Sequence, residues 1–231
     1  MGQVTRLGGE VRRPTGPWTP AVHRLLTHCR SRGLNEVPDP YGVLPDGRER
    51  LQFLEGEVPR YPLPSWVWSP AVLDASTQLL RRFHDVSATA DRTGPWRSAT
   101  HHPVEVICHN DVAPYNLVFV DQLPVGLIDV DFASPGPRVW DVAYLAYQIV
   151  PFTTDRADGY SDAEREHRFT RLLDRYGSGV EPGHTRRTIR IRLLELAQLS
   201  EQMALDLGRP ELAEHAHRYR RDAEQPILDQ D

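Results

Sequence analysis

The sequence predicts a two-lobed α+β protein, with a reduced amino-terminal β lobe over residues 1–57 and a mainly helical carboxyl-terminal lobe over residues 58–231. Three observations carry this reading. Short strand-like runs separated by Gly and Pro turns occupy the first segment, with room for a single helix among them. From Ser69 onward, long segments open on helix-start signals. Within the second segment, three short apolar runs surround a polar loop, His109-Asn110-Asp111-Val112-Ala113-Pro114-Tyr115-Asn116.

The elements follow in order. Val4-Thr5-Arg6-Leu7 and Glu10-Val11-Arg12-Arg13 flank Gly8-Gly9, a two-residue hairpin signal. Thr19 as N-cap, with Pro20 at the first helical position, begins a helix over residues 19–33. Residues 41–44, a turn at Pro45-Asp46-Gly47 and residues 50–54 make a further strand pair, the second arm alternating polar with apolar. Three Pro within residues 58–68 argue against regular structure there, and Trp66 and Trp68 read as packing anchors. Ser69 caps a helix with Pro70 at its first position, and Val72, Leu79, Leu80 and Phe83 form its apolar face. Residues 104–108 are a buried strand, and residues 117–120 and 125–128 are two arms around a turn at Asp121-Gln122-Leu123-Pro124. Ser161-Asp162-Ala163-Glu164 has the form of a capping box and opens a helix ending near Gly177. Two more helices occupy roughly residues 185–207 and 210–224, and the three Arg among residues 218–221 read as a solvated face.

The polar loop has the spacing H-x-D-x-x-x-x-N and is followed by Ile128-Asp129-Val130-Asp131 and by Asp141. That spacing suits phosphoryl transfer, which needs alignment and charge neutralisation more than covalent help. Asp111 would accept the proton of an attacking hydroxyl, and Asn116 and Asp129 would hold Mg2+. The predicted hairpin brings Asn116, at the start of one arm, beside Asp129, at the end of the other. A hard cation wants such oxygen donors when phosphates and water complete its octahedron. Asp131 is a supporting or second-metal carboxylate, His109 braces the loop, and Asp141 holds the loop backbone. Taken singly, each residue has a plainer reading as a turn former or a strand end. Cys108, beside the loop, reads as a small buried strand residue rather than a nucleophile, His84 as a structural histidine, and His101-His102 as a surface pair.

These residues resemble the aminoglycoside phosphotransferase and choline kinase group, which shares the protein-kinase fold. Ala113 stands where protein kinases usually carry Lys, Ile128-Asp129-Val130-Asp131 replaces Asp-Phe-Gly, and Asp141-Val142-Ala143 is similar to the group's D-[LV]-A helix start. Leu80-Arg81-Arg82-Phe83-His84 resembles its L-x-x-L-H signature. The opening Val11-Arg12-Arg13-Pro14-Thr15-Gly16-Pro17-Trp18 looks like that of short members named for trifolitoxin immunity. The resemblance implies a kinase-like fold, ATP as the phosphoryl donor, and a hinge at Leu54-Glu55-Gly56-Glu57, so that Phe53, Leu54 and Glu55 lie at the adenine edge. It also implies an acceptor pocket between the carboxyl-terminal helices and the segment after the Asp141 helix, often acidic for cationic sugars. Here that segment carries Asp155, Asp158, Asp162, Glu164 and Glu166, interleaved with Arg156, Arg165 and Arg168, so its carboxylates either line a pocket or pair on a helix surface.

Two parts of the expected nucleotide grip depart from the group. The chain has no Lys, all 27 basic residues being Arg, so Arg12 or Arg13 stands where a phosphate-binding Lys is expected. Adjacent strand residues face opposite ways, which allows one of them, with Arg13 favoured, into the cleft. No Gly-rich loop precedes the hairpin, and residues 19–26 offer no Glu to pair with the cation. The net charge of −5 argues against a nucleic-acid polymer as partner. Two dispersed Cys exclude a disulfide framework, and no apolar run reaches membrane-spanning length; together with a start unlike a signal peptide these suggest a cytoplasmic protein. The expected activity is ATP-dependent phosphorylation of a small-molecule hydroxyl. The alternatives are a non-catalytic nucleotide-binding or immunity protein, and a kinase acting on peptide Ser or Thr.

Overall fold

The computed structural model describes residues 4–154 and 159–229. Its first sheet has four antiparallel strands in the order β1-β2-β4-β3, formed by β1 (Thr5–Leu7), β2 (Glu10–Pro14), β3 (Pro40–Val43) and β4 (Arg48–Gln52). The β1–β2 register pairs Leu7 with Glu10, so Gly8 and Gly9 are the whole turn, with Gly8 at φ +59°. Helix α1 (Thr19–Ser31) connects β2 to β3 and buries Ala21, Val22, Leu25, Leu26 and Cys29. Thr19 is its first residue rather than its cap. The Thr19 hydroxyl accepts from the Gly16 amide at 2.9 Å and so closes the turn that leads into the helix.

Helix α2 (Pro70–Ser87) begins as its sequence requires, the Ser69 hydroxyl accepting from the Val72 amide, and it buries Val72, Leu79, Leu80 and Phe83. It packs on α4 (Asp162–Tyr176), β5 (Val106–Cys108) and β7 (Leu123–Leu127). Helix α3 (Arg138–Ile149) is apolar nearly all round and buried along most of its length, as such a helix must be. The long α5 (Pro182–Leu207) crosses α3 and pairs with α6 (Glu211–Ala223). One apolar cluster runs from Val22 and Leu51 through Phe83 and Leu127 to Leu228, joining the small sheet to the helical lobe. No helix among the described residues is long and apolar enough to cross a membrane.

Several element limits differ from the sequence expectation. Strand β4 begins at Arg48 rather than residue 50 and ends before Phe53. The second hairpin, β6 (Leu117–Val120) with β7, turns on Asp121 and Gln122 alone, at φ +50° and +62°, and Leu123 and Pro124 belong to the strand. Pro124 is tolerated because β7, its strand, is an edge of this two-stranded sheet. Strand β8 (Ser134–Gly136), which pairs with β5, carries Pro and Gly and shows no alternation that would announce it. The capping box at Ser161 and Glu164 is formed in both directions.

Candidate active site

The polar loop leaves β5, a strand with all three residues buried, and is anchored by Asp141 on the first turn of α3. Asp141 Oδ2 accepts from the His109 amide at 2.6 Å and from His84 Nε2 at 3.0 Å, while Oδ1 accepts from the Asn110 amide at 2.8 Å. Burial alone would raise the Asp141 pKa, but the His84 hydrogen bond and the charge of His84, Arg192 and His109 hold it below the usual carboxylate value. His84 Nδ1 meets the Tyr176 hydroxyl at 2.7 Å, so both of its nitrogens are engaged. His109 spans the loop, with Nε2 2.9 Å from the Ile128 carbonyl and Nδ1 accepting from the Asp111 amide at 3.2 Å. From α5, the Arg192 guanidinium donates to the Asn110 carbonyl and lies 4.9 Å and 4.5 Å from the ring centres of Trp140 and Tyr144. Asn110 stands at φ +68°, a left-handed conformation that Asn tolerates better than most residues.

Among the described residues, His84, Cys108 and Asp141 are the group of His, Cys and acidic ligand atoms drawn within 4.8 Å. It needs no metal to explain it. The Cys108 thiol is fully buried, donates to the Pro137 carbonyl and is pushed well up by burial, so it is neither a nucleophile nor a ready ligand.

Asp111 faces two ways. Its Oδ1 accepts from the Tyr115 hydroxyl at 2.8 Å, and its Oδ2 accepts from Asn116 Nδ2 at 2.7 Å. Burial raises its pKa, opposed by the nearby His109 ring and by these two hydrogen bonds. Asn116 also donates to the Asp111 carbonyl, and its own carbonyl accepts from the Ile128 amide at 3.0 Å, which sets the two ends of the β6–β7 hairpin side by side. Asp129 follows at φ +62°.

The two adjacent arginines of β2 diverge. Arg12 pairs with Glu10 at 3.5 Å on the outer face. Arg13 reaches the far lobe, donating through Nη1 to Asp129 at 2.7 Å, through Nη2 to Asp131, and through Nε to Glu49 at 2.7 Å. Burial would lower the Arg13 pKa, but Asp131, Glu49 and Asp129 outweigh it and raise it above the ordinary value. Glu49 lies directly across the strand pair from Arg13 and is 1% exposed. Its second oxygen meets His23 Nε2, on α1, at 2.7 Å. The carboxylate missing from α1 is therefore supplied by β4, with His23 bracing it. Residues 48–52 alternate outward and inward, so a carboxylate on the inward set with Leu51 was the available signal; starting the strand at residue 50 concealed it. Asp131 is also 3.8 Å from Arg97, whose guanidinium lies 4.1 Å from the centre of the Phe132 ring.

The oxygens of Asn116, Asp129 and Asp131 are the hard donors a divalent cation prefers. The two carboxylates, Asp129 and Asp131, already converge on a positive group, Arg13, so the donor chemistry fits such an ion.

The linker after β4 has its outward side chains occupied. The Arg6 guanidinium sits 3.6 Å over the Phe53 ring and binds Glu55 at 2.6 Å. Leu54 leans on Gly126, where an added Cβ would come within 2.7 Å of it. Gly56, at φ +145°, passes so close to β6 that a Cβ would meet the Phe119 carbonyl at 2.5 Å, and Glu57 exchanges two backbone hydrogen bonds with Phe119.

Beside Asp111 opens a cavity of about 620 Å³, lined by residues that include Tyr61, Trp68, Tyr115, Tyr147, Arg218 and Tyr219. Trp66 is the packing anchor expected of it, edge-on to Phe119 at 4.9 Å, whereas Trp68 faces the cavity. Arg218 and Tyr219 likewise line it rather than forming only a solvated helix face. Of the acidic residues proposed for this region, Asp155 and Asp158 lie outside the described residues. Glu164 serves the α4 capping box, and Glu166 pairs with Arg186 at 2.5 Å.

A model of the phosphotransferase enzyme family matches residues 96–175, which hold the polar loop and Asp141. The trifolitoxin immunity protein of Rhizobium leguminosarum bv. trifolii is 36% identical over 186 residues, covering 75% of this chain and 70% of that protein. A choline/ethanolamine kinase family protein from Mesorhizobium loti has the same fold, with a TM-score of 0.65 at 13% identity over 98% of this chain and 86% of its own. Amicoumacin kinase, in complex with AMP-PNP, Ca2+ and Ami, gives a TM-score of 0.68 at 13% identity over 96% of this chain and 84% of its own. The fold is thus the two-lobed kinase-like one, with a reduced amino-terminal lobe. The relative's identity and coverage, with the family match across the polar loop and Asp141, mean that the chain belongs to the phosphotransferase enzyme family.

Proposed function

We propose that the protein transfers the γ-phosphoryl group of ATP to a hydroxyl group of a small molecule, using Mg2+. The observation that supports this most is the position of Asp111, which borders the cavity through Tyr115 and joins Asn116, and thence Asp129, on its other side. Asp111 would orient the acceptor hydroxyl and take its proton as the new oxygen–phosphorus bond forms and the bond to the β-phosphate oxygen breaks. Asn116 and Asp129 would hold the metal, with Asp131 beside them, and Arg13 would turn from the carboxylates to the phosphates when nucleotide enters. The ion, once bound, would offset triphosphate charge. The linker at Phe53, Leu54 and Glu55 would meet the adenine edge with its backbone, since the Phe53 and Glu55 side chains are engaged by Arg6. His109 and Asp141 would act by holding the loop.

A second reading, with which the name of the trifolitoxin immunity protein is compatible, is sequestration of a toxic molecule without turnover. Nucleotide turnover measured with and without a panel of hydroxyl acceptors separates the two. The phosphotransferase reading expects acceptor-dependent ADP release, nucleotide binding weakened by a chelator, and a roughly 10²–10⁴-fold loss of turnover in Asp111→Asn, the usual span of general acid–base help. Metal-independent nucleotide binding with no turnover on any acceptor would replace it with sequestration.

A further inference from the structure

The cavity beside Asp111 has a chemistry of its own. Five of the residues that line it are aromatic: Tyr61, Trp68, Tyr115, Tyr147 and Tyr219. Three of their hydroxyls are already engaged within the protein. Tyr61 donates to Gln148 at 3.1 Å, Tyr147 donates to Asp222 at 2.8 Å, and Tyr115 donates to Asp111. These residues therefore offer a ligand mainly their rings, which suits flat apolar surface. The charged side chain among the described lining residues is Arg218, at the α6 edge, and no carboxylate among the described residues lies within ion-pair distance of it. A cationic group placed at that edge would meet a guanidinium rather than opposite charge.

We propose that the acceptor is a flat aromatic or heteroaromatic molecule with a hydroxyl directed at Asp111 and an anionic group, such as a carboxylate, directed at Arg218. This rests on the reading of Asp111 as the hydroxyl-orienting residue. A cavity of about 620 Å³ takes a ligand of ordinary drug size. The aromatic rings would hold its plane, Arg218 its anionic end, and Tyr115 would yield its place on Asp111 Oδ1 to the incoming hydroxyl. An arginine in this position also selects against cationic sugars, because burying like charge without a partner is costly.

Two matched probes test it: 6-(hydroxymethyl)-2-naphthoic acid, and the same molecule with an aminomethyl group in place of the carboxylate. Affinity is measured calorimetrically with wild-type protein, Arg218→Ala, Arg218→Glu and Tyr61→Ala, with thermal melts as the check on folding. The wild type should bind the acid roughly tenfold or more tighter than the amine, as expected for a hydrogen-bonded charge pair. Arg218→Ala should erase the preference, Arg218→Glu should reverse it, and Tyr61→Ala, at a side chain largely exposed, should weaken both probes alike. Equal or tighter binding of the amine by the wild type, a preference that survives Arg218→Glu, or no binding of either probe would overturn the proposal. Nucleotide binding and ADP release in the same samples keep the two readings apart. Nucleotide turnover without the acid preference would sink the acceptor class alone, and acid preference without any nucleotide binding would sink the phosphotransfer reading alone.

Discussion

Two clusters of charge meet in this molecule, and they are built on opposite plans. The bracket under the loop, formed by Asp141, His84, His109 and the Asn110 amide, is enclosed at its centre, with Asp141, His84 and His109 all 0% exposed. Both Asp141 oxygens face fixed donors, most of them backbone amides. The cleft cluster of Arg13, Glu49, Asp129 and Asp131 is open at one side, where the Asp129 side chain is 44% exposed. It joins strands of the small sheet to a turn of the large lobe through flexible side chains. Buried and tied to backbone amides, the bracket can only position; half-open and centred on one guanidinium, the cluster can exchange partners. A phosphotransferase needs both, a fixed carboxylate for the acceptor and a rearrangeable cation for the phosphates.

The largest effect should come from the bracket. Asp141→Ala leaves two loop amides and His84 without their acceptor, and should cost about 3–5 kcal/mol of stability in denaturant titration, the usual result of breaking a buried charge pair. The pH dependence has a definite sign. The Asp141 pKa is depressed on folding, so its contribution is complete above the ordinary carboxylate value and is lost as pH falls through the folded value. The difference between wild type and variant should therefore narrow below about pH 4. A stable Asp141→Ala protein at neutral pH would make the bracket ornamental.

The cleft cluster should respond in binding rather than in stability. Arg13→Ala should weaken nucleotide binding by about 1.5–3 kcal/mol, while Arg12→Ala, a half-exposed pair with Glu10, should change it little. Equal losses in both would mean that the phosphates are met by general positive charge rather than by one directed side chain. Glu49→Gln keeps the shape that braces Arg13 and removes its charge. It should raise the nucleotide KM by an amount worth about 1 kcal/mol and leave kcat nearly unchanged. A drop in kcat with unchanged KM would show that Glu49 acts on the reacting groups instead.

The smallest change lies at the carboxylate that the bracket positions. Tyr115→Phe removes a hydrogen bond that favours ionised Asp111, whose pKa burial already raises. The acid limb of the turnover profile should then move to higher pH, with a loss of about 0.5–1.5 kcal/mol on its acid side. An acid limb that does not move would remove either Tyr115 or Asp111 from the titrating group.

Much of the bracket could be read from the chain, because its parts are local. His109, Asp111 and Asn116 lie on one loop, and Asp141 opens the next long helix, so the loop spacing and the family resemblance of Asp141-Val142-Ala143 together implied the arrangement found around the loop backbone. The Gly8-Gly9 turn, the Ser69 cap and the Ser161 capping box are likewise decided within a few residues, where backbone preference outweighs distant packing. Strand β8 was not legible, because its pairing with β5 exists only once both segments are enclosed.

What the sequence by itself determined was the succession of small sheet, polar loop and helical lobe, and the divergence of Arg12 from Arg13, since strand side chains alternate. Tertiary structure alone decided what each charge would face. Glu49 became the partner of Arg13 through cross-strand register, His23 joined it because α1 packs beneath that sheet, and Arg192 reached Asn110 from α5, 82 positions along the chain. Arg218 and Tyr219, which read as a solvated helix face, became cavity wall only when α6 folded back beside Tyr147. Charged side chains are long, and their sequence neighbours do not say which distant group will come within a few ångströms. That information resides in the packing, where a buried charge finds a partner or the fold bears the cost of leaving it unpaired.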